Sequence, residues 1–462
     1  MALVVIALLG LLIGFGLVYL PAKAAFAIPL VMLFLVLGLL FPFILVIFLL
    51  GLTPFRILWL AGGISPQELF YSVTFLGFLG FSVLRKFLRK TDPSYPTWNT
   101  PVALPIFCMG LLGLWGAAVA VLRGHAFAYW ASDLNFILFF WLYFVVAVNF
   151  KGPGEIYRVF WPTLWITAGV VVWGFIRRLQ AGGLFAGITP GFPRAMAFSS
   201  SFFILCLCLF LFSEPGRLRR RGFFWLTVFF GAHQFLSFVR VAWVSQLGTA
   251  GFLLLALPLS EKQRYLRWIG VFLVLTAIVV IVAWMLPTDN LLVKAPIHLT
   301  NRVMSVFTDT TGSGATMRTR YSEWGAALRK YAEHPFLGNG LGTEIRFVRY
   351  DFAKMPVTTE RYIHSSYIYY LLNTGPLGLL VFIWFCLSAF RYGLEVYRKL
   401  PVSELKGLAL GFSAAFVFQI FSSIAGNELN NPSRTIWTGF FLGALTVIDQ
   451  WARRQGFSEK LK

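Results

Sequence analysis

Apolar residues in this chain come in long, almost uncharged blocks. Runs of about 17 residues or more lie near 3–20, 24–41, 43–60, 67–84, 102–121, 129–149, 157–176, 195–213, 222–239, 241–258, 268–286, 366–390, 405–424 and 434–452. A helix of that length crosses a hydrocarbon core of about 30 Å. The pattern predicts an all-α, polytopic integral membrane protein with roughly 12–14 transmembrane helices. Only Pro42 and an absence of charge divide the stretch from Lys23 to Arg56, so the helix count in residues 1–60 is the least defined. The first block is embedded among others and no small-residue cleavage site follows it, so it reads as a retained helix and not a cleaved signal.

One long polar stretch interrupts the blocks, at 287–365, and divides the chain into N-terminal transmembrane helices (1–286), a loop (287–365), and C-terminal transmembrane helices with a tail (366–462). Composition agrees with the pattern: 58% of residues are hydrophobic and 12% charged, about half the charge of a soluble domain. The four cysteines, Cys108, Cys206, Cys208 and Cys386, all fall inside apolar runs and form neither a disulfide framework nor a zinc pattern.

Lys and Arg number 39 against 18 Asp and Glu, a net charge of +21. A positive-inside bias explains many of these cations. Alternate loops carry Arg85 to Lys90, Lys151, Arg217 to Arg221, Lys262 to Arg267, Arg391 to Lys406, and Arg453 to Lys462. These loops are expected on the cytoplasmic side, with both termini, and the 287–365 loop on the opposite, periplasmic side. That outer side is also arginine-rich, which topology alone does not require: Arg123, Arg177, Arg178, Arg194, Arg240 and Arg434 lie near helix ends, and the loop adds Arg302, Arg318, Arg320, Arg329, Arg346, Arg349 and Arg361. Some of these can pair with the loop's own carboxylates, Glu323, Glu333, Glu344 and Glu360 among them. Arginines at membrane depth, such as Arg240 and Arg194, mark a cavity or an anionic partner.

Within the loop, Tyr321, Trp324, Leu328 and Tyr331 fall at helical spacing, which predicts an amphipathic helix with an aromatic face buried at an interface or on the bundle. Pro335 ends it, and Gly338, Gly340 and Gly342 then force a tight turn, read as structural in preference to a phosphate loop. His364 stands just before Ser365-Ser366-Tyr367 and an apolar run, at the N-terminal end of a transmembrane helix. The helix dipole and neighbouring arginines there disfavour an imidazolium, and a neutral imidazole is what a general base requires. A capping or interface role is the plain alternative. The remaining histidines, His125, His233, His298 and His334, show no metal-site spacing, and neither an Asp-x-Asp pair, a Gly-x-Ser-x-Gly elbow nor a Walker loop occurs. No metal or other cofactor is expected. A diphosphate leaving group without a metal needs cations from the protein, and the arginine fork suits phosphate oxygens.

Ser237-Phe-Val-Arg240 between two helices, the long loop with Arg320 and Trp324, His334-Pro-Phe-Leu-Gly-Asn-Gly340, and His364-Ser-Ser-Tyr-Ile-Tyr-Tyr-Leu-Leu-Asn-Thr-Gly375-Pro-Leu-Gly378 occur in that order. In this the chain resembles the O-antigen ligase and O-antigen/exopolysaccharide polymerase superfamily, with usable motifs from about 190 to 385. The resemblance implies a bacterial inner-membrane, metal-independent, inverting glycosyltransferase with a periplasmic active site. Its donor is a glycan on undecaprenyl diphosphate, and its acceptor a sugar hydroxyl of lipid A-core (a ligase) or of a second lipid-linked glycan (a polymerase). By resemblance His364 matches the catalytic histidine and Arg240 the helix-end arginine that meets the diphosphate, with Arg194 as a second arginine. Arg318 and Arg320 are further candidates for the diphosphate, and His334, Tyr367 and Ser237 for supporting roles. Two departures stand out: an asparagine-containing turn common near Arg194 is absent, and Ser365 replaces an asparagine after the histidine.

The competing class is a transporter or flippase for lipid-linked glycans. Such proteins show two related halves, and the single late loop breaks any such symmetry. Nucleic-acid binding has little support, because the cytoplasmic cations are scattered over short loops.

Overall fold

A computed structural model of the chain describes residues 36, 38, 40–53, 71–80, 82, 99–180, 196–214, 216, 218–236, 239–285, 315–350, 356–401 and 403–457. The expected spans at 3–20 and most of 24–41, together with Arg194, Ser237 and residues 287–314, lie outside the described residues.

The described chain is helical apart from one short hairpin. Its helices are α1 (Pro42–Leu52), α2 (Tyr71–Gly80), α3 (Ala103–Leu122), α4 (Phe127–Leu138), α5 (Leu142–Asn149), α6 (Pro153–Gln180), α7 (Met196–Phe212), α8 (Leu218–Leu236), α9 (Arg240–Ala256), α10 (Leu259–Met285), α11 (Ala315–Ala332), α12 (Ser366–Lys399), α13 (Glu404–Ala425) and α14 (Pro432–Arg454). Strands β1 (Ile345–Val348) and β2 (Val357–Glu360) pair antiparallel between α11 and α12, with Ile345 opposite Glu360. Among the described residues five segments are long and apolar enough to cross a membrane: α3, α4 with α5 (Phe127–Asn149), Pro153–Arg177 of α6, α12 and α13. The protein is therefore an all-α, multi-pass membrane protein, as the blocks of apolar sequence predict.

Local chemistry sets the helix ends. Proline opens α1, α6 and α14, where its missing N–H is no loss. Asn431 caps α14 by accepting from the Ser433 amide, and Ser403 caps α13 by accepting from the Lys406 amide. The far end of α3 closes in a Schellman turn: Gly124, at φ 71°, donates to the Val121 carbonyl and His125 to the Ala120 carbonyl. In the core, α14 is buried almost all round against α4 and α5, and Gly439 and Gly443 let its backbone approach the Phe139, Phe140 and Tyr143 carbonyls.

The feature that positions the site is a break in α12. Pro376 has no N–H to offer the Leu372 carbonyl, and Gly375 leaves the helical region at φ 72°. The carbonyls so released are taken up by the glycine turn: the Asn339 amide donates to the Leu372 oxygen at 2.7 Å, and the Gly340 amide to the Asn373 oxygen at 3.0 Å. The Leu341 amide donates to Gly116 of α3 at 2.9 Å. The turn thus wedges between α3 and α12. Glycine is required there: a Cβ on Gly338 would lie 2.5 Å from the Gly375 nitrogen, and one on Gly340 would lie 2.7 Å from the Ala120 nitrogen. The structural reading of these glycines holds.

Gly338→Ala and Gly340→Ala are each expected to lower stability by about 1–3 kcal/mol, from strain at positive φ plus the displaced contact. Gly222→Ala, on a helical surface with open space, is expected to be neutral or mildly stabilising. Thermal unfolding in detergent, followed by tryptophan emission, checks the contrast.

Candidate functional site

The expected helix of the loop forms, as α11, but it buries a different face. Thr319, Glu323, Ala326 and Ala327 are the buried positions, whereas Tyr321 and Leu328 are 48% and 45% exposed. The aromatic stripe is therefore a flank and not the packed face, with Trp324 and Tyr331 half-buried at its edge. The reason is the hairpin. Its strand β1 packs along the face of α11 that holds Thr319 and Glu323, and its far end is fixed by the Tyr350 amide on Thr319 Oγ1 (2.8 Å) and the Val348 amide on Ser322 Oγ (3.1 Å).

A short strap, residues 361–365, joins the hairpin to α12. Burial alternates along it: Arg361, Ile363 and Ser365 are buried, while Tyr362 and His364 are half-buried. With the odd positions anchored in the core, His364 faces α11. Glu323 meets it there. Both carboxylate oxygens lie 3.1 Å from His364 Nδ1, and Glu323 Oε1 also accepts from the His364 amide. Arg320 Nη1 pairs with Glu323 Oε2 at 2.9 Å, and Trp324 Nε1 donates to the His364 carbonyl at 3.3 Å. From the other side Asn430 Nδ2 donates to the Ile363 carbonyl at 3.2 Å, and the Ser366 hydroxyl donates to Asn430 Oδ1 at 2.9 Å.

The electrostatics of this cluster are directional. Glu323 is wholly buried, which by itself would push its carboxyl up. Hydrogen bonds from His364 and the charges of His364 and Arg320 outweigh burial and hold the group below the ordinary carboxylate value. A carboxylate ionised at neutral pH can only accept, so the Nδ1 that faces it carries a proton, and Nε2 is the ring nitrogen left to exchange one. The His364 side chain is 28% exposed while Glu323 is 0% exposed, so the ring is reachable and its partner is not. The arrangement can take up a proton at Nε2 and stabilise the imidazolium that results.

This corrects the expectation about the histidine's surroundings. Its immediate neighbour is an anion, with Arg320 standing behind it. Glu323 was legible in the sequence only as a carboxylate balancing loop arginines. The signal that could have found it is its place on the small-residue stripe with Thr319, Ala326 and Ala327.

The other candidates fall as follows. Arg320 joins the cluster through Glu323, whereas Arg318 is exposed on α11. His334 is exposed, and its backbone closes the turn by donating to Tyr331 and accepting from Gly338. The Tyr367 ring packs edge-on against Phe382, at 5.2 Å between centroids. Arg240 is the first residue of α9 and half-buried, on a helix that packs against α13. Among the described residues no three His, Cys, Asp or Glu side chains converge so as to hold a metal ion. Asp133 is a further buried carboxylate. Asp133, inside the span Phe127–Asn149, sits 3.7 Å from Arg361 Nη1.

Fold and site together define a multi-pass helical membrane protein that carries a histidine backed by a buried carboxylate at one end of its bundle. Residues 222–383, about a third of the chain, match the family model described as O-antigen ligase. The matched segment takes in Arg240, α11, the strap and His364, and it supports a function of the ligase or polymerase type. No curated protein matches the chain.

The Glu323 pair has a consequence for pH. A carboxyl held below its ordinary value of 4.5 contributes stability that is fully in place above that value and is lost as pH falls through the lower, folded-state value. Hydrogen exchange of the strap amides is therefore expected to stay flat from pH 7 to 5, after correction for intrinsic rates, and to rise below about 4.5. In Glu323→Gln that acid step is expected to vanish.

Proposed function

We propose that this protein transfers a glycan from undecaprenyl diphosphate to a sugar hydroxyl, with His364 as general base. The observation that carries the reading is the Nδ1 contact of a reachable His364 with the buried Glu323 carboxylate. The acceptor is lipid A-core for a ligase, or a second lipid-linked glycan for a polymerase. The face that bears His364 is taken as periplasmic and both termini as cytoplasmic, in the bacterial inner membrane. The distribution of lysine and arginine among the loops supports that orientation.

In this reading His364 Nε2 removes the proton of the acceptor hydroxyl as its oxygen attacks the anomeric carbon. The bond from that carbon to the diphosphate oxygen breaks, and its electron pair leaves with the diphosphate. Attack opposite the leaving group inverts the anomeric configuration. Glu323 stabilises the imidazolium, in the manner of the carboxylate in a hydrolase triad. The charge that develops on the diphosphate is met by arginine. Arg240 has the best place for this, because the first residue of α9 combines a guanidinium with the positive end of a helix dipole. Arg194 is the second candidate, with Arg318 and Arg320 on α11. Each well-placed donor contributes about 3 kcal/mol to the transition state. Arginines supply the countercharge that a divalent ion would otherwise provide, so the transfer is proposed to be metal-independent.

His364→Ala is expected to lower transfer by about 10²- to 10⁴-fold while the protein still inserts, and Arg240→Ala to weaken use of the donor. The assay is purified protein in bilayers with an undecaprenyl-diphosphate-linked oligosaccharide. Supplying the donor alone and then with lipid A-core separates chain lengthening from transfer. Full activity of His364→Ala would sink the assignment, and a strict need for a divalent ion after EDTA treatment would count against the arginine argument.

A further inference from the structure

Asp133 lies on α4 within a membrane-spanning segment and is 1% exposed. Its Oδ2 accepts from the Gly342 amide at 2.8 Å and from the Tyr369 hydroxyl at 2.7 Å. Arg361 Nη1 stands 3.7 Å from Oδ1 and donates to the Tyr129 carbonyl, one turn earlier on α4, at 3.0 Å. The guanidinium is also stacked between two rings, 4.5 Å from the centroid of Tyr129 and 5.4 Å from that of Tyr362. An ionisable side chain inside a span is costly and marks a function by default. Packing alone would be served as well by an apolar residue, since buried ion pairs add little net stability over well-packed hydrophobes.

The three groups that converge on Asp133 come from three different pieces of chain: the glycine turn, the strap and α12. All three bear on His364. Arg361 precedes it in the strap by three residues, Tyr369 follows it by five, and Gly342 ends the turn that fills the break in α12. The side of the strap on which His364 emerges depends on Arg361, Ile363 and Ser365 staying buried. Asn430 holds the strap at Ile363 and beyond. At its other end the strap is held by Arg361, and so by Asp133.

We infer that Asp133 is a positioning residue for His364. Its carboxylate, acting through Arg361, keeps the strap in the register that presents the ring to Glu323. Asp133 stands outside the family-matched segment, residues 222–383, so the tether makes the orientation of His364 depend on a helix beyond that segment. The inference rests on the proposed role of His364 as base.

The test uses full-length protein in bilayers, assayed with an undecaprenyl-diphosphate-linked oligosaccharide and lipid A-core, with hydrogen exchange measured on the same samples. Asp133→Asn keeps the shape and an accepting oxygen for Gly342 and Tyr369 but removes the charge that holds Arg361. It is expected to lower kcat by about 10- to 100-fold with KM for the donor changed less than about twofold. Exchange of the amides at 361–365 is expected to rise while that of 315–332 stays as in the parent. Asp133→Ala should do the same more severely, and if it fails to fold, Asp133→Asn decides. Unchanged kcat with unchanged strap exchange in Asp133→Asn would overturn the inference, as would a rise in KM alone. Activity surviving in His364→Ala would overturn the base assignment instead, and the exchange measurement would still decide whether Asp133 holds the strap.

Discussion

A helix within a bilayer cannot leave its carbonyls unpaired, and Pro376 forces α12 to release those of Leu372 and Asn373. Nearly everything distinctive about this protein follows from how they are recovered. The amides of Asn339 and Gly340 fill the gap, and they can reach it only because the glycines of that turn bring backbone against backbone. The turn in turn fixes where α11 ends, since Asn339 Nδ2 also donates to the Lys330 carbonyl at 2.9 Å. Thus the break in one transmembrane helix determines the placement of a helix outside the spans, and with it the position of Glu323.

Buried carboxylates in this protein act as junctions between chain segments. Glu323 gathers the strap's His364 and its own helix's Arg320. Asp133 gathers a turn, a strap and a helix. Near the other end of α12, Asp449 takes Arg453 at 2.9 Å and Lys399 at 3.5 Å, with the Tyr392 hydroxyl 3.4 Å away. The physical logic is common to the three. A desolvated carboxylate is tolerable only with several donors around it, so each forces distant parts of the sequence into one arrangement.

The spans, the loop helix and the special position of His364 could all be read in the sequence, because each is a local matter of periodicity, length or place at a helix end. The packed face of α11 could not. Tyr321, Trp324, Leu328 and Tyr331 make a more conspicuous stripe than Thr319, Glu323, Ala326 and Ala327, yet the smaller set is the buried one. The hairpin itself, four residues to a strand, is too short to announce itself by alternation. Asp133 was legible in principle, as an acid within an apolar run. Its partners could not be inferred, since Arg361 is more than two hundred positions away and was one of many loop arginines. The turn glycines were assigned correctly to structure, while the carbonyls they serve depended on knowing that two distant motifs meet.

The net charge of +21 suggests a site dominated by cations, but the geometry at His364 is more selective. A base surrounded only by arginines would be neutral and also weak, because the imidazolium it must become would be repelled. Placing Glu323 against Nδ1 reverses that local balance: the carboxylate accepts the Nδ1 proton and stabilises a further one on Nε2. Arg320 pairs with the same carboxylate and, after His364 itself, helps to hold it ionised. In the proposed mechanism the cation best placed for a departing diphosphate, Arg240 at the head of α9, stands on a different element from His364. A base that gains positive charge and a leaving group that gains negative charge need opposite surroundings. The proposed mechanism meets that need by assigning the two to separate helices.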